Sequence, residues 1–183
     1  NVLLRDNSGG ADWAAPGRTY GEQHYSPLDQ INAANVRQLG LAWSFELPPG
    51  ASVSQPLAVN GVLYVVSGYS IVRALDGRTG KQLWEFDPQT WAQPGSTQRM
   101  RLAWGTRGIA WWQDKIFVGT VDGRLIAIDA KTGKQLWSQQ TLKDGDPTYI
   151  TGAPRVFDGK VIIGFGGADF GPVRGYVSTY DAA

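Results

Sequence analysis

Cysteine is absent from this 183-residue chain, and histidine occurs once, as His24. The missing thiols exclude a disulfide, a zinc–thiolate centre and a cysteine nucleophile within these residues. His24 lies in the polar stretch Gly21–Tyr25, and we assign it no chemistry. No run of about 18 apolar residues occurs, so we expect no membrane-spanning helix. The net charge is +1 with no basic run, which predicts no nucleic-acid partner.

What the chain does contain is a long internal repeat. Ala74–Trp84 reads Ala-Leu-Asp-Gly-Arg-Thr-Gly-Lys-Gln-Leu-Trp, and Ala127–Trp137 repeats it as Ala-Ile-Asp-Ala-Lys-Thr-Gly-Lys-Gln-Leu-Trp, 53 positions later. A third copy begins at Val177–Ala183 and stops before the Thr-Gly-Lys turn. Self-similarity with a period of about 50 residues is typical of repeat architectures.

Each repeat unit alternates short apolar runs with glycine-containing turns. Runs such as Gly61–Val66 and Ile71–Leu75 are followed by Asp-x-x-Thr-Gly-Lys and by a run that ends in tryptophan. This pattern predicts antiparallel strands, with the aspartate capping each turn and the glycine supplying a positive φ. Units of about four strands predict an all-β fold of β-propeller blades, and a solenoid is the competing architecture. One docking tryptophan per unit favours the propeller, with Trp84 and Trp137 buried between blades.

The segment before the repeats carries two weaker signals. Asp29–Leu39 could form one or two helical turns, with Asn32 or Asn35 as the cap. Gly40–Leu47 alternates in character as a strand would.

The Ala-x-Asp-x-x-Thr-Gly-Lys-x-x-Trp repeat resembles the tryptophan-docking motif of the pyrroloquinoline-quinone (PQQ)-dependent alcohol dehydrogenases, most closely the quinohaemoprotein branch. The likeness covers nearly the whole chain and includes Gly17–Leu28 and Val36–Ser44. Non-enzymatic propellers share the docking motif, but the loops Ile150–Pro154 and Gly164–Gly171 make the likeness specific. The resemblance implies that residues 1–183 are the N-terminal part of an eight-bladed propeller, roughly three blades, incomplete at the C-terminus.

The resemblance also assigns cofactor and metal roles to these two loops. In the family, the threonine of Thr-Gly-Ala-Pro contacts the quinone, the Gly-Gly-Ala backbone lies against the cofactor, and the following acidic residue binds calcium. By this likeness Thr151, Gly166, Gly167, Ala168 and Asp169 take those roles. Glycine lets a backbone approach a flat ligand closely, and a carboxylate suits Ca²⁺. The alternative reading is an ordinary glycine-rich turn with a capping aspartate.

Arg107 matches an Arg-Gly step at which family members bind a carboxylate of PQQ. PQQ carries three carboxylates, and a planar guanidinium can hold one of them bidentately. The alternative reading is a surface arginine at the start of a strand.

Three places depart from the family pattern. Arg101-Leu102 stands where the family often has a vicinal cysteine disulfide stacked on the quinone. Val53, with Gln55 close by, stands where the family has a cofactor-contacting glutamate. Asp169 replaces the more usual glutamate and is shorter by one methylene. The changes fit a divergent subfamily or a propeller that has lost PQQ, and Arg101 is open to two readings, a further cation for the quinone or a solvated side chain.

The implied function is that of a PQQ- and Ca²⁺-dependent alcohol dehydrogenase, which oxidises alcohols to aldehydes by hydride transfer to the quinone. The catalytic aspartate and the metal-ligating asparagine of the family lie further along, so we assign no catalytic residue here and expect one portion of a larger enzyme. The resemblance also implies a periplasmic location, a small alcohol substrate and the rest of the propeller as a partner. It is compatible with a cytochrome c electron acceptor and with a haem c domain outside this chain. The alternative function is a non-catalytic propeller that acts as a protein-binding scaffold, which has no reason to keep both loops.

Overall fold

The computed structural model describes residues 8–48, 54–92, 106–143, 148–167 and 172–183, which contain three antiparallel sheets, one per repeat unit. The strands of unit 1 are β1 (Leu57–Val59), β2 (Val62–Val66), β3 (Val72–Asp76) and β4 (Gln82–Phe86). Those of unit 2 are β5 (Ala110–Trp112), β6 (Lys115–Gly119), β7 (Arg124–Asp129) and β8 (Gln135–Gln140). Those of unit 3 are β9 (Arg155–Phe157), β10 (Lys160–Gly164) and β11 (Val177–Asp181). Single 3₁₀ turns occupy Val36–Gln38, Gly68–Ser70 and Thr90–Ala92.

Units 1 and 2 have the same strand order and the same register. Each strand pairs with the next one in sequence. Ala74 lies opposite Trp84 and Ala127 lies opposite Trp137, and in both ladders the register shifts immediately after that alanine. The sequence repeat is therefore a structural repeat, and the predicted all-β architecture of successive meanders is confirmed.

The Asp-x-x-Thr-Gly turn forms as the sequence predicts. Asp129 Oδ1 accepts bonds from the amides of Lys131 (3.1 Å) and Thr132 (2.7 Å) and from the Thr132 hydroxyl (2.7 Å). Gly133 adopts a φ of +72° and donates its N–H to the Asp129 carbonyl. The Thr132 hydroxyl, followed by the Thr132 amide, lowers the pKa of Asp129 below its ordinary value. Asp76 makes the equivalent bonds in unit 1, and its pKa is lowered for the same reason.

The core lies between the sheets, and unit 2 is covered on both faces. Alternate side chains of β6 and β7 enter two different apolar clusters. Ile116 and Ile126 pack towards unit 1, whereas Phe117 and Leu125 pack towards unit 3. Burial of both faces explains why these strands read as continuous apolar runs rather than as an alternation of apolar and polar residues.

A tryptophan from one unit packs on the turn of the next. The Trp84 indole N–H donates to the Ala130 carbonyl at 3.0 Å, and the ring covers Gly133 so closely that a Cβ there would lie 2.7 Å from Trp84 Cδ2. Trp43 makes the same arrangement with Gly80 of unit 1. The Ala130 carbonyl also accepts the Tyr64 hydroxyl at 3.3 Å.

The expectation that Trp84 and Trp137 are buried needs correction. Trp84 and Trp137 are only partly buried, because the last strand of each described four-stranded sheet is exposed and leaves part of the ring in solvent. Trp137 packs on Phe117 with ring centroids 5.7 Å apart. Its buried indole N–H has no hydrogen-bond partner among the described residues. The two tryptophans therefore occupy equivalent strand positions with unequal partners.

The segment before the repeats meets one of its two expectations. Asp29–Leu39 contains one 3₁₀ turn, Val36–Gln38, with Asn35 at the N-cap position, although Asn35 Oδ1 accepts the Asn32 N–H and makes no capping bond. The expected strand is wrong: residues 40–47 form no strand within the described parts of the chain, since no described strand lies alongside to pair with their backbone groups.

Replacing Gly133 with alanine should destabilise the intact protein by two separable effects. The positive φ strains any L-residue by roughly 1–2 kcal/mol. The new methyl group would also collide with the Trp84 ring, which adds about 1–3 kcal/mol of overpacking. Gly61→Ala is the matched control, because Gly61 has a φ of +76° but open space at the Cβ position. Chemical denaturation of both variants measures the difference, and equal losses would contradict the docking contact.

The lowered pKa of Asp129 predicts a definite pH dependence of stability. A carboxyl whose pKa is depressed on folding contributes stability above its unfolded pKa, and that contribution disappears as the pH falls through the folded value. Thr132→Val should raise the pKa of Asp129 in the folded state. On acidification, the melting temperature of the variant should therefore fall less than that of the unaltered protein. Asp29→Asn, at an exposed position outside the repeat turns, is the control. Parallel melting curves for Thr132→Val and the unaltered protein across acidic pH would refute the assignment.

Candidate functional site

The predicted cofactor residues lie at one end of the sheets because of strand direction. Arg107 and Thr151 come shortly before β5 and β9, the first strands of units 2 and 3. Gly166 and Gly167 come directly after β10. Because β9 and β10 are antiparallel, the residues before one and after the other meet at the same end.

Arg107 and Thr151 are joined through the backbone. The Arg107 N–H donates to the Thr151 carbonyl at 2.7 Å. The Arg107 side chain is exposed and makes no ion pair or hydrogen bond with any other described residue, whereas Thr151 is buried, with 6% of its surface exposed. A backbone hydrogen bond thus places a guanidinium group that has no partner among the described residues next to a buried threonine.

The neighbouring Thr106 strengthens this joint between units 2 and 3. Its buried hydroxyl lies 3.0 Å from the Gly108 carbonyl and 3.2 Å from the Gly152 carbonyl. On the other side, Gln55 of unit 1 forms an isolated parallel bridge with Gly108. Segments from three units therefore meet around Arg107, and Gln55 is the residue from unit 1.

The glycine loop pairs with the segment that leads to Thr151. Gly166 exchanges both backbone hydrogen bonds with Tyr149, at 2.9 and 3.3 Å. A Cβ on Gly166 would lie 3.1 Å from the Tyr149 ring, and Gly167 is buried with a φ of +131°. Glycine is favoured at both positions, by close approach at the first and by backbone conformation at the second.

The loop after β10 is longer than its counterparts. It runs from 165 to 176, against 67–71 in unit 1 and 120–123 in unit 2. Phe165 and Tyr176 pack across its base with ring centroids 4.2 Å apart, and the Tyr176 hydroxyl reaches the Thr141 carbonyl at 3.4 Å. Sequence reasoning gave no role to Tyr149, Phe165 or Tyr176, although a comparison of loop lengths between the repeats could have singled out this loop.

Several predicted positions lie outside the described residues. These are Val53, Arg101, Leu102, Ala168 and Asp169. Among the described residues, no three His, Cys, Asp or Glu side chains gather in a way that could hold a metal ion. The described ranges also include no helix that is long and apolar enough to cross a membrane.

The arrangement offers a binding group for an anion. The exposed Arg107 guanidinium, which pairs with no other described residue, supplies positive charge and paired N–H donors for a carboxylate. Gly166 and Gly167 lie at the same end of the sheets, with the Tyr149 ring over the Cβ position of Gly166. The described residues at this end offer cationic and backbone groups but no catalytic acid–base pair.

Comparisons with known proteins match almost the whole chain to one family profile. The family profile described as glucose/ethanol/alcohol dehydrogenase, beta-propeller domain (PQQ) matches residues 13–183. The chain is 52% identical over 174 residues to quinohemoprotein alcohol dehydrogenase ADH IIB of Pseudomonas putida, covering 94% of this chain and 25% of the relative. It is 48% identical to 1-butanol dehydrogenase (cytochrome c) of Thauera butanivorans, again covering 94% and 25%.

A solved structure agrees with these sequence matches. Quinohemoprotein alcohol dehydrogenase ADHIIG of Pseudomonas putida superposes with a TM-score of 0.89 at 47% identity, covering 99% of this chain and 26% of that chain. The chain therefore spans about a quarter of the length of the relatives that it matches.

Proposed function

Since the chain belongs to the β-propeller family of PQQ-dependent glucose, ethanol and alcohol dehydrogenases, we propose that it forms one side of the cofactor site of an alcohol-oxidising quinoprotein. The observation that carries the proposal is the backbone hydrogen bond between Arg107 and Thr151, at the same end of the sheets as Gly166 and Gly167. The Arg107 guanidinium is exposed there and pairs with no other described residue. The relatives are alcohol dehydrogenases, and an alcohol oxidised to an aldehyde is the reaction that we assign to the whole protein.

The residues of this chain bind and orient the cofactor. Arg107 would pair with a carboxylate of PQQ through two parallel N–H bonds. Thr151, which is buried, would contact the quinone. The backbone of Gly166, Gly167 and Ala168 would lie against the quinone ring. When bound, PQQ supplies the acceptor for the hydride of the alcohol. No residue described here is assigned the role of removing the hydroxyl proton.

Asp169 is proposed as one Ca²⁺ ligand. It follows Gly166, Gly167 and Ala168 in the sequence. Ca²⁺ takes 6–8 oxygen ligands, so this carboxylate can supply only a small part of the site. Its side chain is one methylene shorter than glutamate, which favours monodentate coordination or a metal drawn towards this loop.

The names of the relatives support a proposal about the electron acceptor of the enzyme. One relative is named for cytochrome c and another is a quinohemoprotein, which supports a cytochrome c acceptor and a haem c group outside this chain. We also propose a small alcohol as the substrate and the periplasm as the location. A scaffold function is less consistent with relatives that are enzymes, and failure of the intact apoprotein to bind PQQ would favour it.

Replacing Arg107 with alanine should weaken PQQ binding to the intact apoprotein. Loss of a charge-assisted pair costs about 1.5–3 kcal/mol, or roughly 10- to 150-fold in the dissociation constant. The PQQ affinity of Arg107→Lys should lie between those of Arg107→Ala and the unaltered protein, because lysine keeps the charge but lacks the planar guanidinium group. Arg78→Ala, in the exposed turn after β3, is the control. Titration followed by tryptophan fluorescence measures the affinity, and an unchanged value for Arg107→Ala would refute the contact.

Replacing Asp169 with alanine should impair reconstitution of the intact enzyme by Ca²⁺ and PQQ. Asp169→Glu should retain reconstitution, because it restores the residue that is usual in the family. Asp29→Ala is a control for the loss of an exposed carboxylate. The measurement is alcohol oxidation as a function of Ca²⁺ concentration. Identical calcium curves for Asp169→Ala and the unaltered enzyme would show that Asp169 is only a turn residue.

A further inference from the structure

Residues 12–22, here called the strap, connect unit 1 to unit 3. At its first end, Trp13 exchanges both backbone hydrogen bonds with Ala58 of β1, at 2.6 and 3.0 Å. Asp12 Oδ1 also accepts the Asn60 N–H at 2.8 Å, in the turn after β1. The strap therefore begins as an additional partner of the first strand of unit 1.

The other end of the strap is attached to β9. The Tyr20 hydroxyl donates to the Val156 carbonyl, 136 residues further along the chain. The Tyr20 ring meets Phe157 edge-on with centroids 5.8 Å apart. Glu22 pairs with Arg155 at 2.8 Å, and both side chains are half-exposed. All three partners are the residues of one strand.

The strap has hydrogen bonds of its own, but it is not packed continuously against unit 3. Its own turns are closed by bonds from the Arg18 N–H to the Ala15 carbonyl and from the Glu22 N–H to the Thr19 carbonyl. Gly17 has a φ of +72°, and a Cβ there would lie 2.6 Å from the Glu22 Cα. A cavity of about 270 Å³ separates part of the strap from β5 and β9. The attachment to unit 3 thus depends on the contacts of Tyr20 and Glu22.

The chain that enters β9 also carries the cofactor-site joint. Thr151 lies four residues before β9, and its carbonyl accepts the Arg107 N–H. The intervening Pro154 is buried, and its ring fixes φ, which limits how far the two ends of this segment can move independently. Since the strap contacts all three residues of β9, it limits the movement of the strand and of the short segment that joins the strand to Thr151.

We propose that Tyr20 and Glu22 are positioning residues for the cofactor site. By fixing β9 relative to β1, the strap holds Thr151 at bonding distance from Arg107. This inference rests on the proposed PQQ site at Arg107 and Thr151.

The test uses the intact protein with Tyr20→Phe, which removes one hydroxyl, and Glu22→Gln, which removes one charge. Tyr25→Phe is the matched control, because Tyr25 is 65% exposed in the same segment. Hydrogen exchange of the apoprotein reports directly on the Arg107 amide. Tyr20→Phe should accelerate its exchange by about fivefold, the equivalent of one neutral hydrogen bond, while the amides of β6 stay unchanged. PQQ affinity should fall several-fold at a temperature well below melting, with kcat at saturating PQQ unchanged.

The outcomes separate the two proposals. Unchanged exchange at Arg107, or acceleration that is equal at Arg107 and throughout β6, overturns the positioning role and leaves the proposed function standing. Faster exchange at Arg107 with unchanged PQQ affinity also overturns it. Failure of the unaltered apoprotein to bind PQQ overturns the proposed function, and the positioning role with it.

Discussion

The contact between a tryptophan ring and the glycine of the next unit determines how the sheets are arranged. Trp43 covers Gly80 and Trp84 covers Gly133, and in each pair the indole N–H bonds to a carbonyl of the same turn. The ring can approach only because the glycine has no Cβ, and the glycine is required anyway by the positive φ of the turn. The glycine therefore serves both the turn and the interface, and the apolar cluster between units 1 and 2 lies beside this contact.

The turns at one end of the sheets are alike, whereas the loops at the other end differ in length. At one end, the Asp-x-x-Thr-Gly turns are nearly identical in units 1 and 2, because each must receive a tryptophan. At the other end, loop length varies from four residues in unit 2 to twelve in unit 3, and the first strands are joined there by single backbone contacts such as Arg107 to Thr151. The loops at this second end receive no tryptophan among the described residues, so their length and sequence are less constrained. The strap adds a direct link between units 1 and 3, which no described tryptophan–glycine contact joins.

The repeat made the strand order, register and turn chemistry predictable, because Asp129, Thr132 and Gly133 act through local hydrogen bonds and φ values that the sequence specifies. The grouping of Arg107, Thr151 and Gly166 at one end was predictable from family likeness, and strand direction explains it. Tyr149 and the Tyr20–Val156 link were not predictable, since they join segments through pairings that no local pattern encodes. The expected strand at 40–47 failed for a related reason, because alternation describes a side-chain pattern but supplies no backbone partner.

The Ala130 carbonyl accepts both the Trp84 indole and the Tyr64 hydroxyl, and burial, followed by the charges of Asp114 and Asp129, raises the pKa of that tyrosine. The tryptophan bonds to the main chain of position 130, whereas the Ala130 methyl group lies in the apolar cluster between units 1 and 2. The equivalent position in unit 1 is Gly77, whose carbonyl accepts Trp43. The indole bond is therefore the same with alanine or with glycine, while the space around the Cβ position differs between the units: a Cβ at Gly77 would lie 2.8 Å from the Gly61 carbonyl oxygen.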